Sequence, residues 1–313
     1  MSDYDLVRLS RDNFPDLLEL MATVNGSKPD ERQLLQKYDT RIFGAENLGY
    51  LAYKHGDKVA AAYYGVFPMR MLIDGQEVLA AQSGDTMTHP DHRGKGLFIA
   101  LARKTYTLAA DEGIKFVFGF PNGNSYPGFV KKLAWQHPYN MVGINLFVPT
   151  LPVNLLAKRL PALARLQRKW LFVLLGVFFA KTNELPKVCS SVTGSGVSGV
   201  VRDRAFWDYK RETCDIYQTG KTIIFVKYDG DIGIGDVVTP TGEIGSAISR
   251  LRLVAALAGV ARIKTYCSPN SYLARELGKR GYTRDSLAYG YVAFADGQPL
   301  DQLEFTYADY DTF

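Results

Sequence analysis

The chain has 313 residues, 47% of them hydrophobic and 22% charged, which excludes a disordered polypeptide and leaves room for two well-cored domains. A formal net charge of +5 with a pI near 8.9 suits a phosphate-bearing ligand or an anionic membrane surface. It is too weak, without a clustered patch, to imply nucleic acid.

Taken in chain order, the first half reads as mixed α/β. Met-Ser-Asp-Tyr-Asp at the start lacks a basic and an apolar region, so no signal peptide is expected. Tyr4 to Leu9 is a short strand. Asn13 is placed to cap an amphipathic helix that carries Phe14, Leu17, Leu18 and Met21 on one face. Pro29 to Tyr38 is a second helix. Strands are expected over Gly49 to Tyr53, Lys58 to Phe67 and Met69 to Ile73, with turns at His55-Gly56-Asp57 and Asp74-Gly75. A β-branched, apolar strand from Val78 to Thr88 follows.

That strand stops at His89-Pro90-Asp91-His92, passes the tight loop Arg93-Gly94-Lys95-Gly96, and enters a helix running from about Leu97 to Glu112. Such a loop offers several backbone N–H groups to one point at the positive end of the helix dipole. The glycines permit close approach, which is the geometry a pyrophosphate requires. His89 and His92 have an H-x-x-H spacing, but Pro90 keeps them off a helix and no third ligand lies near, so they read as loop residues and no metal is expected. A buried strand (Ile114 to Phe120), a helix (Pro127 to Leu133) and a strand (Met141 to Val148) are expected to complete the unit.

The stretch from Leu151 to Lys181 combines the run Trp170-Leu171-Phe172-Val173-Leu174-Leu175-Gly176-Val177-Phe178-Phe179-Ala180 with Lys158, Arg159, Arg165, Arg168 and Lys169, and contains no acid. The run is shorter than the ~20 residues a membrane span needs. Two readings stay open: a pair of buried linker helices with a wet basic face, or an amphipathic segment in peripheral contact with an anionic membrane.

The second half repeats part of the first. Gly235-Asp236-Val237-Val238-Thr239-Pro240 parallels Gly84-Asp85-Thr86-Met87-Thr88-His89-Pro90, and Pro269-Asn270-Ser271-Tyr272 parallels Pro121-Asn122-Gly123-Asn124-Ser125-Tyr126. A helix (Ala247 to Leu257) and a strand (Arg262 to Cys267) lie between them in the same order, so two copies of one unit are inferred. The matching loop, Thr241 to Gly245, has no basic residue and places Glu243 where a carboxylate would repel a pyrophosphate; donor binding is therefore expected in the first copy only. Cys189, Cys214 and Cys267 are far apart and in no metal spacing, which predicts reduced thiols and a cytoplasmic protein, with a peripheral place at the inner membrane face following from the second reading of Leu151 to Lys181.

Strand, proline, basic-Gly loop and helix in this order resemble the GCN5-related N-acetyltransferase (GNAT) superfamily, in tandem two-domain form. The family's Arg/Gln-x-x-Gly-x-Gly/Ala loop fits Arg93-Gly94-Lys95-Gly96-Leu97, with Phe98 a departure at the last position. The resemblance implies an α/β fold of two GNAT-like domains, each a mixed, splayed sheet flanked by helices. An acyl-CoA-binding domain would span 1–150, a helical linker 151–184, and a degenerate domain with its tail 185–313. It implies acetyl-CoA as donor and direct transfer to a primary amine, on a small molecule or glycan such as an amino sugar of a surface polysaccharide. Thr86, Met87 and Thr88 would pair with the pantetheine arm. The N–H groups of Arg93, Gly94, Lys95, Gly96, Leu97 and Phe98 would hold the pyrophosphate, with Asn122 and Ser125 on the other wall.

Direct transfer needs a base for the amine proton, a donor for the oxyanion and an acid for the thiolate. The position of the family's tyrosine acid falls on Val130, which carries no proton, so Tyr126 is the nearest acid. Asp85, on the strand beside the expected thioester, is one base, although Asp236 at the matching place allows a shared structural role. The chain end at Phe313 is another, because some tandem members fold a terminal carboxylate into the site. A silent CoA-binding scaffold and a peptidoglycan-type aminoacyl transferase remain as alternatives.

Overall fold

The computed structural model describes residues 3–151, 153–157, 159–182, 185, 190–193, 196–239, 244–295 and 297–313. The chain forms two compact units, Met1–Tyr139 with Leu287–Asp301, and Asn140–Ser286 with Gln302–Phe313.

The first unit runs β1 (Tyr4–Arg8), α1 (Phe14–Asn25), α2 (Glu31–Tyr38), β2 (Gly49–Lys54), β3 (Ala60–Ile73), β4 (Gln76–Thr88), α3 (Leu97–Asp111), β5 (Phe116–Gly119) and α4 (Tyr126–Lys132). β6 (Gln136–Phe147) carries the chain into the second unit. There follow α5 (Val153–Ala157), α6 (Pro161–Phe178), β7 (Ala180–Lys181), β8 (Gly199–Val200), α7 (Arg204–Lys210), β9 (Asp215–Thr219), β10 (Thr222–Tyr228), β11 (Ile232–Val238), α8 (Ile244–Leu257), β12 (Arg262–Cys267) and α9 (Tyr272–Gly278). β13 (Tyr282–Ala293) returns the chain to the first unit.

The sheet of the first unit has the order β1-β2-β3-β4-β5-β13 and is antiparallel except at β4–β5. Asp74 and Gly75, both with positive φ, form the two-residue turn between β3 and β4, where a primed turn matches the strand twist. The two strands expected around Pro68 are one. β2 pairs with β3 only as far as Gly65, so the missing N–H of Pro68 breaks no bond of that ladder. Helices cover both faces. Leu97, Leu101 and Tyr106 of α3 and Phe129 of α4 pack with Trp135 on Ala81 and Val117. On the opposite face Phe14, Leu17 and Met21 of α1 and Leu34 and Tyr38 of α2 pack on Leu51, Tyr63 and Phe67. Asn13 sits at the start of α1 without capping it; its side chain turns back to the N–H of Ser10 and the carbonyl of Arg8.

One expectation is overturned. The strand at Met141 to Val148 does not complete the first unit: Val142–Phe147 pair antiparallel with Arg262–Cys267 of β12 in the second. The place beside β5 is taken by Gly290–Ala293 of β13, antiparallel to Phe116–Gly119. Alternation of side chains tells which face of a strand is buried but not which partner it pairs with.

The sheet of the second unit runs β6-β12-β11-β10-β9-β7. Here β11 leads through α8 to the parallel strand β12, as β4 leads through α3 to the parallel strand β5. The segment from Leu151 forms α5 and α6, and α6 buries Leu171, Leu174 and Leu175 against α8 and the sheet. Among the described residues no helix is long and apolar enough to cross a membrane. The loop at Thr241–Glu243 and Cys189 lie outside the described residues.

Cys214 and Cys267 are free and buried, and burial pushes both thiols up to about 12. At pH 8 only about one in ten thousand of each is thiolate. Mass spectrometry after iodoacetamide treatment at pH 8 is expected to find both unmodified in native protein and both alkylated once it is unfolded.

Candidate functional site

The site is built where β4 leaves β5. The two strands pair at only two positions, Ala81 with Val117 and Gln82 with Phe118. β4 stays paired with β3 beyond that point, Thr86 with Tyr64, Met87 with Tyr63 and Thr88 with Ala62. A bulge sets Gly84 and Asp85 opposite the single residue Gly65, and bulges bend and re-aim a strand. Alternate N–H and C=O groups of Gly84–Thr88 therefore face the open side of the fork.

The strand then passes a single helical turn at Pro90–His92 and the loop, and α3 begins at Leu97 with Gly96 as its N-cap. Gly94 and Gly96 both hold φ of +75°, and a Cβ at either would meet open space. No acid lies in the first turn of α3, whose first N–H groups have no partner within the helix. Arg93 and Lys95 are exposed, with the Lys95 ammonium 6.0 Å from the centre of the Tyr4 ring. The Tyr4 hydroxyl is 2.9 Å from Nδ1 of His92. Burial, and next the Lys95 ammonium, hold the His92 imidazole below its ordinary value, so the positive charge of the loop comes from Arg93 and Lys95.

Phe98 keeps the loop close in spite of its size. Its ring packs on Tyr64 (5.9 Å) and Phe129 (5.1 Å), in space left by Gly128 of α4. A Cβ on Gly128 would lie 2.6 Å from Cε1 of Phe98. Gly128→Ala is thus expected to destabilise the protein by about 1–3 kcal/mol in chemical unfolding, and Phe98→Leu in that background to restore part of the loss.

The other wall is the turn before α4. Oδ1 of Asn122 accepts the N–H groups of Asn124 (3.0 Å) and Ser125 (3.2 Å), and its carbonyl accepts that of Tyr126 (2.9 Å). Asn122 and Ser125 therefore shape this wall together. The Tyr126 hydroxyl lies 2.7 Å from Nδ1 of His137, whose Nε2 lies 3.1 Å from the Tyr139 carbonyl. A carbonyl only accepts, so Nε2 carries the proton in that contact and Nδ1 accepts from Tyr126. Val130, half-buried on α4, has no polar group.

On the α1–α2 face, both oxygens of Asp85 are engaged. Lys37 donates to Oδ1 (2.8 Å) and the Tyr38 hydroxyl to Oδ2 (2.9 Å). Burial first, and the charge of Asp85 second, push the Tyr38 hydroxyl well up, so it remains a donor. On the α3 face, Trp135 Nε1 donates to the Tyr106 hydroxyl (2.9 Å), and the chain continues through Tyr64 (3.1 Å) to Ser83 Oγ (2.8 Å). Ser83 stands at the fork itself, next to Gln82, the last residue paired with β5.

Lys37, Tyr38, Ser83 and His137 are absent from the residues singled out in the sequence. Ser83 has a visible signal, a small polar residue closing the apolar run from Val78. The other three are joined to the site only by folding.

The second unit treats the matching acid differently. Asp236 is fully buried, pairs with Arg202 and accepts the N–H groups of Ser191 (2.9 Å) and Val237 (2.7 Å). Arg202 also donates to Asp309 (Nε to Oδ1, 2.9 Å) and Thr306 (2.8 Å), so every group is spoken for inside that core. Phe313 belongs to this unit as well. Its ring is buried 4.8 Å from that of Tyr307, over Gly235, and its main-chain oxygen accepts from Thr213 (2.9 Å) and Lys210 (3.3 Å). The structure thus gathers Asp85, Thr86 to Thr88, Arg93 to Phe98, Asn122, Ser125 and Tyr126 in the first unit, and accounts for Phe313 within the second.

Comparison with known proteins agrees with this architecture. Residues 5–137 match the family model described as an acetyltransferase (GNAT) domain. The fold is similar to that of a GCN5-related N-acetyltransferase from Kribbella flavida, 14% identical with a TM-score of 0.57, over 93% of this chain and 71% of that one. It is similar to a GCN5-related N-acetyltransferase from Anabaena variabilis, 14% identical with a TM-score of 0.56, over 92% and 72%. A conserved protein of unknown function from Enterococcus faecalis V583 is 11% identical with a TM-score of 0.62, over 93% and 72%. No curated protein matches the sequence. At such identities the likeness is one of fold, and the family match covers residues 5–137, where the chain is similar to an acetyltransferase (GNAT) domain.

Proposed function

We propose that the protein is an acetyl-CoA-dependent N-acetyltransferase that moves acetyl directly from the thioester sulfur to a primary amine. The observation that carries this reading is the fork of β4 from β5 placed directly before a helix N-terminus with two open, positive-φ glycines. The empty space over Gly94 and Gly96 and the N–H groups of the Arg93–Phe98 segment fit a pyrophosphate. The free edge of Thr86, Met87 and Thr88 fits an extended amide-bearing arm that adds to the sheet as a strand would.

Acetyl-CoA supplies the activated acetyl group. This chain supplies orientation and two proton transfers. As the amine nitrogen bonds to the acetyl carbon, its proton passes to Asp85, which Lys37 and Tyr38 hold in place. As the carbon–sulfur bond breaks, the Tyr126 hydroxyl, held beside the fork by His137, turns from Nδ1 and gives its proton to the thiolate. The Ser83 hydroxyl, fixed by the buried Tyr64–Tyr106–Trp135 chain, is the donor nearest the fork for the developing oxyanion. The second unit reads as a degenerate copy without a donor site; the strand–helix–parallel strand order and the buried Arg202–Asp236 pair support that reading.

Release of free thiol from acetyl-CoA with a panel of primary amines, amino sugars among them, tests the proposal. Amine-dependent release supports it. Acylation of the amine from aminoacyl-tRNA, with tRNA and no thiol released, would favour the aminoacyl transferase, and CoA binding without turnover a silent scaffold. Asp85→Asn is expected to lower kcat about 100-fold while the KM for acetyl-CoA stays within about twofold; kcat within fivefold of wild type would remove Asp85 as the base.

A further inference from the structure

We propose that α6 of the second unit is a docking surface for an anionic lipid bilayer, held in the plane of the membrane by one apolar stripe and one basic flank. The helix has two apolar faces. One, carrying Leu171, Leu174 and Leu175, is buried in the core. The other carries Leu166, Trp170, Val173 and Val177, four, three and four residues apart, which aligns them on one stripe. These side chains are 65%, 50%, 55% and 72% exposed, a contiguous patch that a soluble surface rarely tolerates. Leu253 and Leu257 of α8 are also exposed, and Trp170 Nε1 donates to the Leu257 carbonyl (3.2 Å), so the patch extends across both helices.

Charge selects the occupant. Arg165 and Lys169 line the flank of the stripe away from the core, Arg168 lies beyond them over the Phe172 ring (5.7 Å), and the segment from Leu151 to Lys181 contains no Asp or Glu. A second copy docked about a two-fold axis would bring these like charges together across an apolar contact of low dielectric. An anionic headgroup layer instead meets the cations while the stripe enters the acyl boundary, and a tryptophan at the level of the headgroups is the side chain suited to that depth. α6 has 18 residues and carries three cations near its middle, so it lies on a membrane rather than through one.

Trp170 is also the probe. Trp135 and Trp207 are buried, so a change in emission on adding vesicles reports the stripe. With vesicles of phosphatidylcholine containing phosphatidylglycerol at low salt, the protein is expected to float with the lipid, its emission to move to the blue, and brominated acyl chains to quench it. Pure phosphatidylcholine and high salt should abolish all three effects. Reversing the flank (Arg165→Glu, Lys169→Glu) should weaken binding by at least about 30-fold. Val173→Asp, at an exposed position, should weaken it at least tenfold with an unchanged circular dichroism spectrum. Equal binding to neutral vesicles, no binding to anionic ones, or binding indifferent to both variants would overturn the proposal. So would a concentration-dependent dimer, seen by light scattering, that Val173→Asp dissolves.

Discussion

Valine at both Gly94 and Gly96 is expected to raise the KM for acetyl-CoA by about 100-fold, with little change in thermal stability. Both glycines sit at φ of +75°, and neither has an atom within 4 Å of the place a Cβ would occupy. The effect is therefore one of backbone conformation and not of collision. A left-handed conformation costs an L-residue about 1–2 kcal/mol, and two such residues together about 3 kcal/mol, or a factor of about 100 in affinity. The loop is exposed, so it escapes this strain by leaving the left-handed region, and the N–H groups from Arg93 to Phe98 then cease to converge. Gly75, which also has positive φ but lies in the β3–β4 turn, provides the control: valine there should lower stability and leave the KM alone. A doubly substituted loop with a KM within threefold of wild type would show that the donor phosphates are held elsewhere.

The second large effect is expected on kcat. Tyr126→Phe keeps the ring that packs edge-on against His137 at 5.2 Å and removes only the hydroxyl that reaches Nδ1. Loss of a positioned proton donor costs typically 10²- to 10⁴-fold, and about 100-fold is expected here because water reaches this half-exposed side chain and can replace part of its function. The KM for acetyl-CoA should stay within threefold. His137→Ala leaves the hydroxyl but not its orientation, and should cost kcat less than Tyr126→Phe does. Steady-state kinetics with acetyl-CoA varied at saturating amine separates the two parameters. A kcat unchanged in Tyr126→Phe would assign the thiolate proton to another group.

Much of the first unit was legible because its signals are local. An apolar, β-branched run marked β4, the Asp74-Gly75 pair marked the turn that joins it to β3, and the basic-Gly loop stood at a strand-to-helix junction, where it is found. Phe98 was visible as a departure, but its accommodation was not, since Gly128 lies on another helix. The site was harder. Asp85 could be seen on β4, yet the bulge that aims it and the Lys37 and Tyr38 groups that hold it depend on how α2 crosses the sheet. The Tyr126–His137 contact joins residues eleven apart, the start of α4 and β6. Least legible was strand pairing. β6 and β13 have similar alternation, and nothing within either shows that β13 ends beside β5 while β6 continues beside β12. Register and partner are set by the assembled core, not by the strand alone.

The central claim is that one donor site exists per chain, and that it is the loop from Arg93 to Phe98 with the fork above it. Calorimetric titration of the protein with CoA tests this most directly, because it counts sites without requiring that the acceptor be known. One site per chain is expected, lost in the Gly94→Val, Gly96→Val protein. Two sites per chain, no site, or one site indifferent to those substitutions would contradict it.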